Sequence, residues 1–384
     1  MQLKNYRYFL LVGYTVLAAS CATVKPVIQT TAGITAIKFI GAYIIPHNLE
    51  YGQTKVGGLS GIDYDAKQDI YYMISDDRSD FNPARFYTAR IFFTPKGIDN
   101  VIFTGVKYLR QSNGTVYPNK TQDPFHTPDP EAIRYNPVNG QLVWSSEGER
   151  IVDAKDTVLE DPSVIDISTG GNYIQDYPLP GNLKMQVTEK GPRRNGVLEG
   201  LSYADNYKTL FVSVEEPLYE DGPRADLIDN NPFIRILKFK AGQRKNTRQF
   251  AYKLEPIAHP PIPPNEFKIN GVPDILSIGN NKLLVIERSF SKGRDTNTIK
   301  LFLADMNGAT DVTNISLKGA VGQFTPITKK LLLNMDDLRI YIDNIEGVTF
   351  GPPLPNGHKT LLFIADNNFY DTQKSQVLLF EVME

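Results

Sequence analysis

Acidic residues recur in this chain at positions that could act together. Glu131, Glu199, Asp274 and Glu346 each stand at the head of a short apolar stretch, in Pro130-Glu131-Ala132-Ile133, Leu198-Glu199-Gly200-Leu201, Pro273-Asp274-Ile275-Leu276 and Ile345-Glu346-Gly347-Val348. Leu59-Ser60-Gly61-Ile62 is a fifth copy with Ser60 in the acid's place, and the spacings from Ser60 onward are 71, 68, 75 and 72 residues. Each copy is followed by a second apolar run, and an acid stands five residues after the start of each: Asp76, Glu147, Glu215, Glu287 and Asp366. Asp77, Glu149 and Glu216 lie within two residues of three of these acids, and Arg78, Arg150 and Arg288 just past them. Carboxylates held close together raise one another's pKa and need compensation. Hard divalent cations such as Ca²⁺ are held by oxygen ligands, carboxylates foremost. Arginine offers a planar fork for a carboxylate or phosphate.

The elements that must position these acids follow from the repeat, whose period of about seventy residues marks a repeated supersecondary unit. In the third copy, Glu199–Tyr203, Leu210–Glu215, Phe233–Lys240 and Gln249–Leu254 read as four strands with turn residues between them. Four antiparallel strands per repeat describe a β-propeller blade. The last copy holds only 39 residues, Glu346–Glu384, whereas residues 27–59 contain one good strand near Ala36–Ile45. The expected fold is therefore all-β: a single propeller over 27–384 with five four-stranded blades, the last closed by the N-terminal strand. Long connections at 112–128, 181–196, 255–270 and 319–345 leave room for a sixth blade, and Thr328–Leu338 is the best helix candidate. In antiparallel pairs the start of one strand faces the end of the next. Glu131 should then meet Glu147, Glu199 meet Glu215, Asp274 meet Glu287 and Glu346 meet Asp366, all around one mouth of the central channel.

Other chemistries find little support. Gly58-Leu59-Ser60-Gly61-Ile62 and Gly200-Leu201-Ser202-Tyr203-Ala204 both lack the closing glycine of a nucleophile elbow. His47, His126, His259 and His358 fall outside the repeat positions in no paired-ligand spacing, and Trp144 reads as blade packing. A single cysteine excludes an internal disulfide framework and any Cys-rich metal site. A net charge of −2 gives no nucleic-acid footprint, and 41% hydrophobic with 22% charged residues is a folded composition.

Residues 1–20 combine Lys4 and Arg7 with the apolar run Tyr8–Ala19, too short to span a bilayer. They read as a signal peptide ending at Ser20-Cys21. Leu17-Ala18-Ala19-Ser20-Cys21 resembles a lipobox in which Ala18 replaces the usual large aliphatic residue, so Cys21 is expected to carry lipid. The expected location is the outer membrane or cell envelope as a lipoprotein, and otherwise the periplasm or medium. Contact with membrane is expected only through the anchor, and the protein is expected to be a monomer.

Several of these motifs together resemble the phytase-like ("esterase-like activity of phytase") propeller family of secreted bacterial proteins. They are Gly57-Gly58-Leu59-Ser60-Gly61 with Ile74-Ser75-Asp76-Asp77-Arg78, Asp129-Pro130-Glu131-Ala132-Ile133 with Ser145-Ser146-Glu147, and Asn195-Gly196-Val197-Leu198-Glu199-Gly200-Leu201. Leu284-Val285-Ile286-Glu287-Arg288 and Asp343-Asn344-Ile345-Glu346-Gly347, leading to Ala365-Asp366-Asn367-Asn368-Phe369, complete the set, roughly over 55–384. The chain departs in having Arg-Asn-Gly at 194–196 and no glycine after Asp274. The resemblance implies ester hydrolysis. The expected site has Asp76, Glu131, Glu147, Glu199, Glu215, Asp274, Glu287, Glu346 and Asp366 around Ca²⁺ or another divalent cation. Asp77, Arg78, Arg150 and Arg288 would act on a small anionic substrate such as a phosphate ester. The alternatives are a non-catalytic binding propeller with a structural metal and a lactonase-like hydrolase. Arginines aimed into the mouth would favour an anionic substrate; arginines bonded to neighbouring acids would favour structure.

Overall fold

The structure is a computed structural model that describes residues 33–384. Five four-stranded antiparallel sheets follow one another as the blades of a propeller. Their innermost strands are Leu59–Asp65, Pro130–Asn136, Leu198–Ala204, Ile275–Gly279 and Asn344–Gly351. Blade 5 takes its outer strand from the N-terminal segment: Ala36–Ile44 pairs with Gln376–Met383, from Ala36 opposite Met383 to Ile44 opposite Gln376. The connections expected to leave room for a sixth blade form none. Blade 4 adds Lys268–Gly271, which pairs with the far end of its second strand, Lys282–Ser291.

The second strands are continuous apolar runs because each sheet is covered on both faces. Successive side chains point to opposite faces, so Leu210, Val212 and Val214 join the cluster shared with blade 2, while Phe211 joins the one shared with blade 4. One apolar cluster fills each of the five blade interfaces. The stretch Leu361–Ala365 is accordingly buried throughout, and Trp144 is buried between blades 1 and 2.

The expected helix at Thr328–Leu338 does not form. Thr328–Asn334 is the outer strand of blade 4, paired with Thr298–Asp305, and only Met335–Leu338 turns as a 3₁₀ helix. The open edge of Thr298–Asp305 needs a fourth strand, and pairing there outweighs the modest helix preference of Lys329–Leu333. No helix among the described residues is long and apolar enough to cross a membrane.

The repeat acids owe their direction to a bulge. In blade 3, Leu198 pairs with Val214 and Gly200 with Ser213, leaving Glu199 as an extra residue; Glu346 and Ser60 are extra in the same way. In blade 2 the shift covers Glu131 and Ala132. A bulge bends the strand and re-aims the extra side chain, here at the entrance to the channel. The glycine that follows reflects crowding at the axis: a Cβ on Gly200 would lie 2.9 Å from the backbone nitrogen of Ile275 in the next blade.

Candidate metal centre at the channel mouth

The bulged inner strands and the ends of the second strands gather eight carboxylates into three groups, two of which share Glu147. Asp76, Glu346 and Asp366 form one; Asp129, Glu131 and Glu147 form another; Glu147, Glu199 and Glu215 form the third. Within each group one ligand oxygen per residue lies within 4.8 Å of the others. Three of the expected pairs therefore meet: Glu131 with Glu147, Glu199 with Glu215, and Glu346 with Asp366. Asp129 joins them from just ahead of the blade 2 inner strand. It sits in the Asp129-Pro130-Glu131 motif, but its distance from the repeat position concealed it.

The fourth pair does not meet. Asp274 turns into the channel, where both its oxygens accept from Arg134 Nη2, at 2.7 and 2.6 Å, and one accepts from the Val348 amide. Glu287 points the other way, to the Tyr252 hydroxyl, the Glu255 amide, Asn270 and Lys329. Blade 4 lacks the bulge that turns the other repeat acids outward, and each of these two carboxylates has its own cation.

The four residues expected to act on substrate also divide. Arg288 lies among the acids, donating to Glu215 at 2.9 Å and to Glu346 and Asn344. Arg78 donates to Glu149 at 3.0 Å and lies 3.4 Å from Asp129. Arg150 leaves the mouth: it donates to the carbonyls of Gln186, Val187 and Thr188, with its guanidinium 5.0 Å from the Tyr219 ring centre. Asp77 is a buried partner of Arg85 at 2.6 Å, and it accepts the amides of Asp80, Phe81 and Asn82. Arg194, half-exposed and 2.9 Å from Glu149, is the mouth arginine that the repeat gave no reason to choose. None of the four histidines belongs to a carboxylate group. Cys21 and the leader lie outside the described residues.

The acids are poorly compensated. No described residue donates a hydrogen bond to the carboxylates of Asp76, Glu131 or Glu199, and buried oxygens of Glu346, Asp366 and Glu216 also lack a partner. Burial, and then each other's charge, pushes Asp76, Glu131, Glu147, Glu199 and Asp366 well above the usual carboxylate range. Burial takes Asp129 up to about 7, against the pull of Arg78. Burial and Glu215 take Glu216 to about 7 as well, against Arg224. Burial opposes the Arg288 charge, but Glu346, Glu215 and Glu199 outweigh it and hold its pKa above the ordinary value. Unpartnered buried oxygens at coordinating separations suit a hard divalent cation. The mouth fits such an ion.

A family model described as phytase-like, esterase-like activity of phytase, matches residues 54–369. No curated protein matches the chain. Solved structures similar to it include a thermostable family-43 glycoside hydrolase, at 10% identity and TM-score 0.45, covering 86% of this chain and 91% of that one. An exo-β-1,3-galactanase from Phanerochaete chrysosporium follows at 12% identity and TM-score 0.44, covering 88% of this chain and 63% of the galactanase, under two thirds of its length. A gluconolactonase from Xanthomonas campestris has 11% identity and TM-score 0.33, with 83% and 71% covered. At such values none of their chemistry carries over to this chain.

Proposed function

Because the chain belongs to the phytase-like family, we propose that it is a hydrolase of anionic esters, phosphate esters first, that works with a divalent cation at the channel mouth. The observation that carries the reading is the set of carboxylates without a donor, half-buried Asp76 and buried Glu131 and Glu199, one from each group. A bound cation such as Ca²⁺ would neutralise these charges and polarise an ester oxygen. Arg288 fixes Glu215 and Glu346 so that their remaining oxygens stay turned to the mouth. Arg78 and Arg194 share Glu149, and Arg194, 53% exposed, keeps N–H groups free to meet an incoming anion.

A second reading has an observation of its own. Arg78 and Arg288 are both bonded to neighbouring acids and Arg150 is turned away, which favours a propeller that binds a ligand over a structural cation. One experiment separates the two. Chelator-treated protein is assayed on phosphate monoesters and carboxylic esters with and without Ca²⁺, beside Glu199→Gln. Turnover that requires Ca²⁺ and is lost in the variant supports the hydrolase. A cation-induced rise in melting temperature without turnover of any ester supports the binding module. We further propose that the protein is exported and anchored through lipid on Cys21.

A further inference from the structure

Beside the Asp76 group the rim carries an aromatic pair that the proposed chemistry does not use. Phe81 and Phe369 stack with ring centres 4.7 Å apart and planes 29° apart, although they come from blades 1 and 5. Phe81 is 58% exposed. The Lys55 ammonium lies 5.3 Å from the Phe81 ring centre and 5.6 Å from that of Phe369, and it meets no carboxylate among the described residues. Phe369 and Asp76 border the same space at Gly58. Gly58, at φ +60°, leaves a space in which a Cβ would lie 2.0 Å from Asp76 Oδ1 and 2.6 Å from the Phe369 ring.

Each member of this platform is held by a buried group. Asp77, locked to Arg85, accepts the Phe81 amide. Asn367 accepts the amides of Phe369 and Gly58. Asn82 accepts the Lys55 amide, while Arg85 and Tyr87 donate to the Lys55 carbonyl. Asn368 and Phe369 both sit at positive φ, 44° and 56°. Left-handed backbone at a non-glycine aromatic is costly and persists only where the surroundings enforce it. An exposed ring and a half-buried one therefore stay fixed beside an unpaired cation and a carboxylate cluster, which is the arrangement of a preorganised subsite.

We infer that Phe81, Phe369 and Lys55 form a subsite for a flat aromatic ring that carries an anionic group, with the ring stacked on Phe81 and the anion shared by Lys55 and the mouth. The ring end stands on the platform alone; the anion's place in the mouth rests on the proposed function. Rings stack offset or edge-on at separations like those seen here, and a cation near a ring face adds to the attraction.

The test uses phenylphosphonate and methylphosphonate, titrated calorimetrically into the Ca²⁺-supplemented full chain. The wild type is expected to bind phenylphosphonate about three- to tenfold more tightly than methylphosphonate. Phe81→Ala should abolish the preference at an unchanged melting temperature. Phe81→Leu keeps apolar bulk over Phe369 and should lose the preference as well. Equal affinities in the wild type, no binding of phenylphosphonate, or a preference that survives both variants overturns the inference. A preference for the aryl ligand in a protein that turns over no ester would instead leave the subsite standing and remove the hydrolase.

Discussion

Arg134 and Asp274 close the channel from opposite sides. The guanidinium extends from the inner strand of blade 2 and also donates to the carbonyls of Ile62, Leu201 and Ile275, while Asp274 accepts the Val348 amide. One ion pair thereby ties the inner strands of all five blades. Both side chains are almost wholly buried. Removing one partner of such a pair leaves the other charge uncompensated, at a cost of about 3–5 kcal/mol. Asp274→Ala should lower stability in urea by about that amount, yet leave the response of the melting temperature to Ca²⁺ intact. An unchanged stability with a lost Ca²⁺ response would put Asp274 back among the metal ligands.

The mouth acids make a pH prediction of definite sign. Their folded pKa values lie above the ordinary carboxylate value, with Asp129 and Glu216 at about 7. The folded state thus holds more protons than the unfolded chain, and its stability falls as pH rises through the window from about 4 to about 7. Melting of the chelator-treated protein should be highest at the acidic end of that window and decline toward pH 8. A melting temperature that climbs from pH 5 to 8 would contradict this electrostatic picture.

Saturating Ca²⁺ at pH 8 should reverse the decline, since a ligand at a hundred times its Kd stabilises by about 2.7 kcal/mol. Glu199→Gln removes a buried charge without a donor. It should therefore raise the melting temperature of the metal-free protein while weakening the rise caused by Ca²⁺. Asp99→Ala, at an exposed position on the outer strand of blade 1, should change neither. If Ca²⁺, Mg²⁺ and Mn²⁺ all leave the wild-type curve unmoved, the mouth is not a metal centre.

Deleting residues 33–45 removes the outer strand of blade 5 and exposes the edge of Gln376–Met383. The truncated protein should lose its cooperative thermal transition and aggregate, as read by calorimetry and light scattering. A monomer with the wild-type melting curve would show that ring closure does not depend on the N-terminal strand.

Cys21→Ala should move the protein from the membrane fraction to the soluble fraction and abolish labelling by a fatty acid. A wild type that is already soluble, with an unlipidated N-terminus after residue 20, would rule the anchor out.

The blade count, the closure of the ring and the seven acids that meet at the mouth were legible in the sequence, for a local reason. An apolar run covered on both faces and an acid at its end recur at one period because every blade meets the same demands, and three of the five inner strands add a glycine at the crowded axis. What each charged side chain then bonds to is not local. Arg134 reaches 67 residues to Leu201, 72 to Ile62 and 140 to Asp274, and no pattern within a repeat encodes those distances. Asp274 matches the other repeat acids in position, but the missing bulge in blade 4 sends it into the channel, and Glu287 finds Lys329 from the outer strand instead. Arg150 stands past its acid as Arg288 does, yet only the Arg288 side chain has carboxylates within reach once the ring is closed. Thr328–Asn334 becomes a strand because the tertiary structure holds an open edge beside it. Residue types and their period determined which elements form; the closed ring alone decided which charges come close enough to interact, because Coulomb and hydrogen-bond energies depend on distances that only the packed blades set.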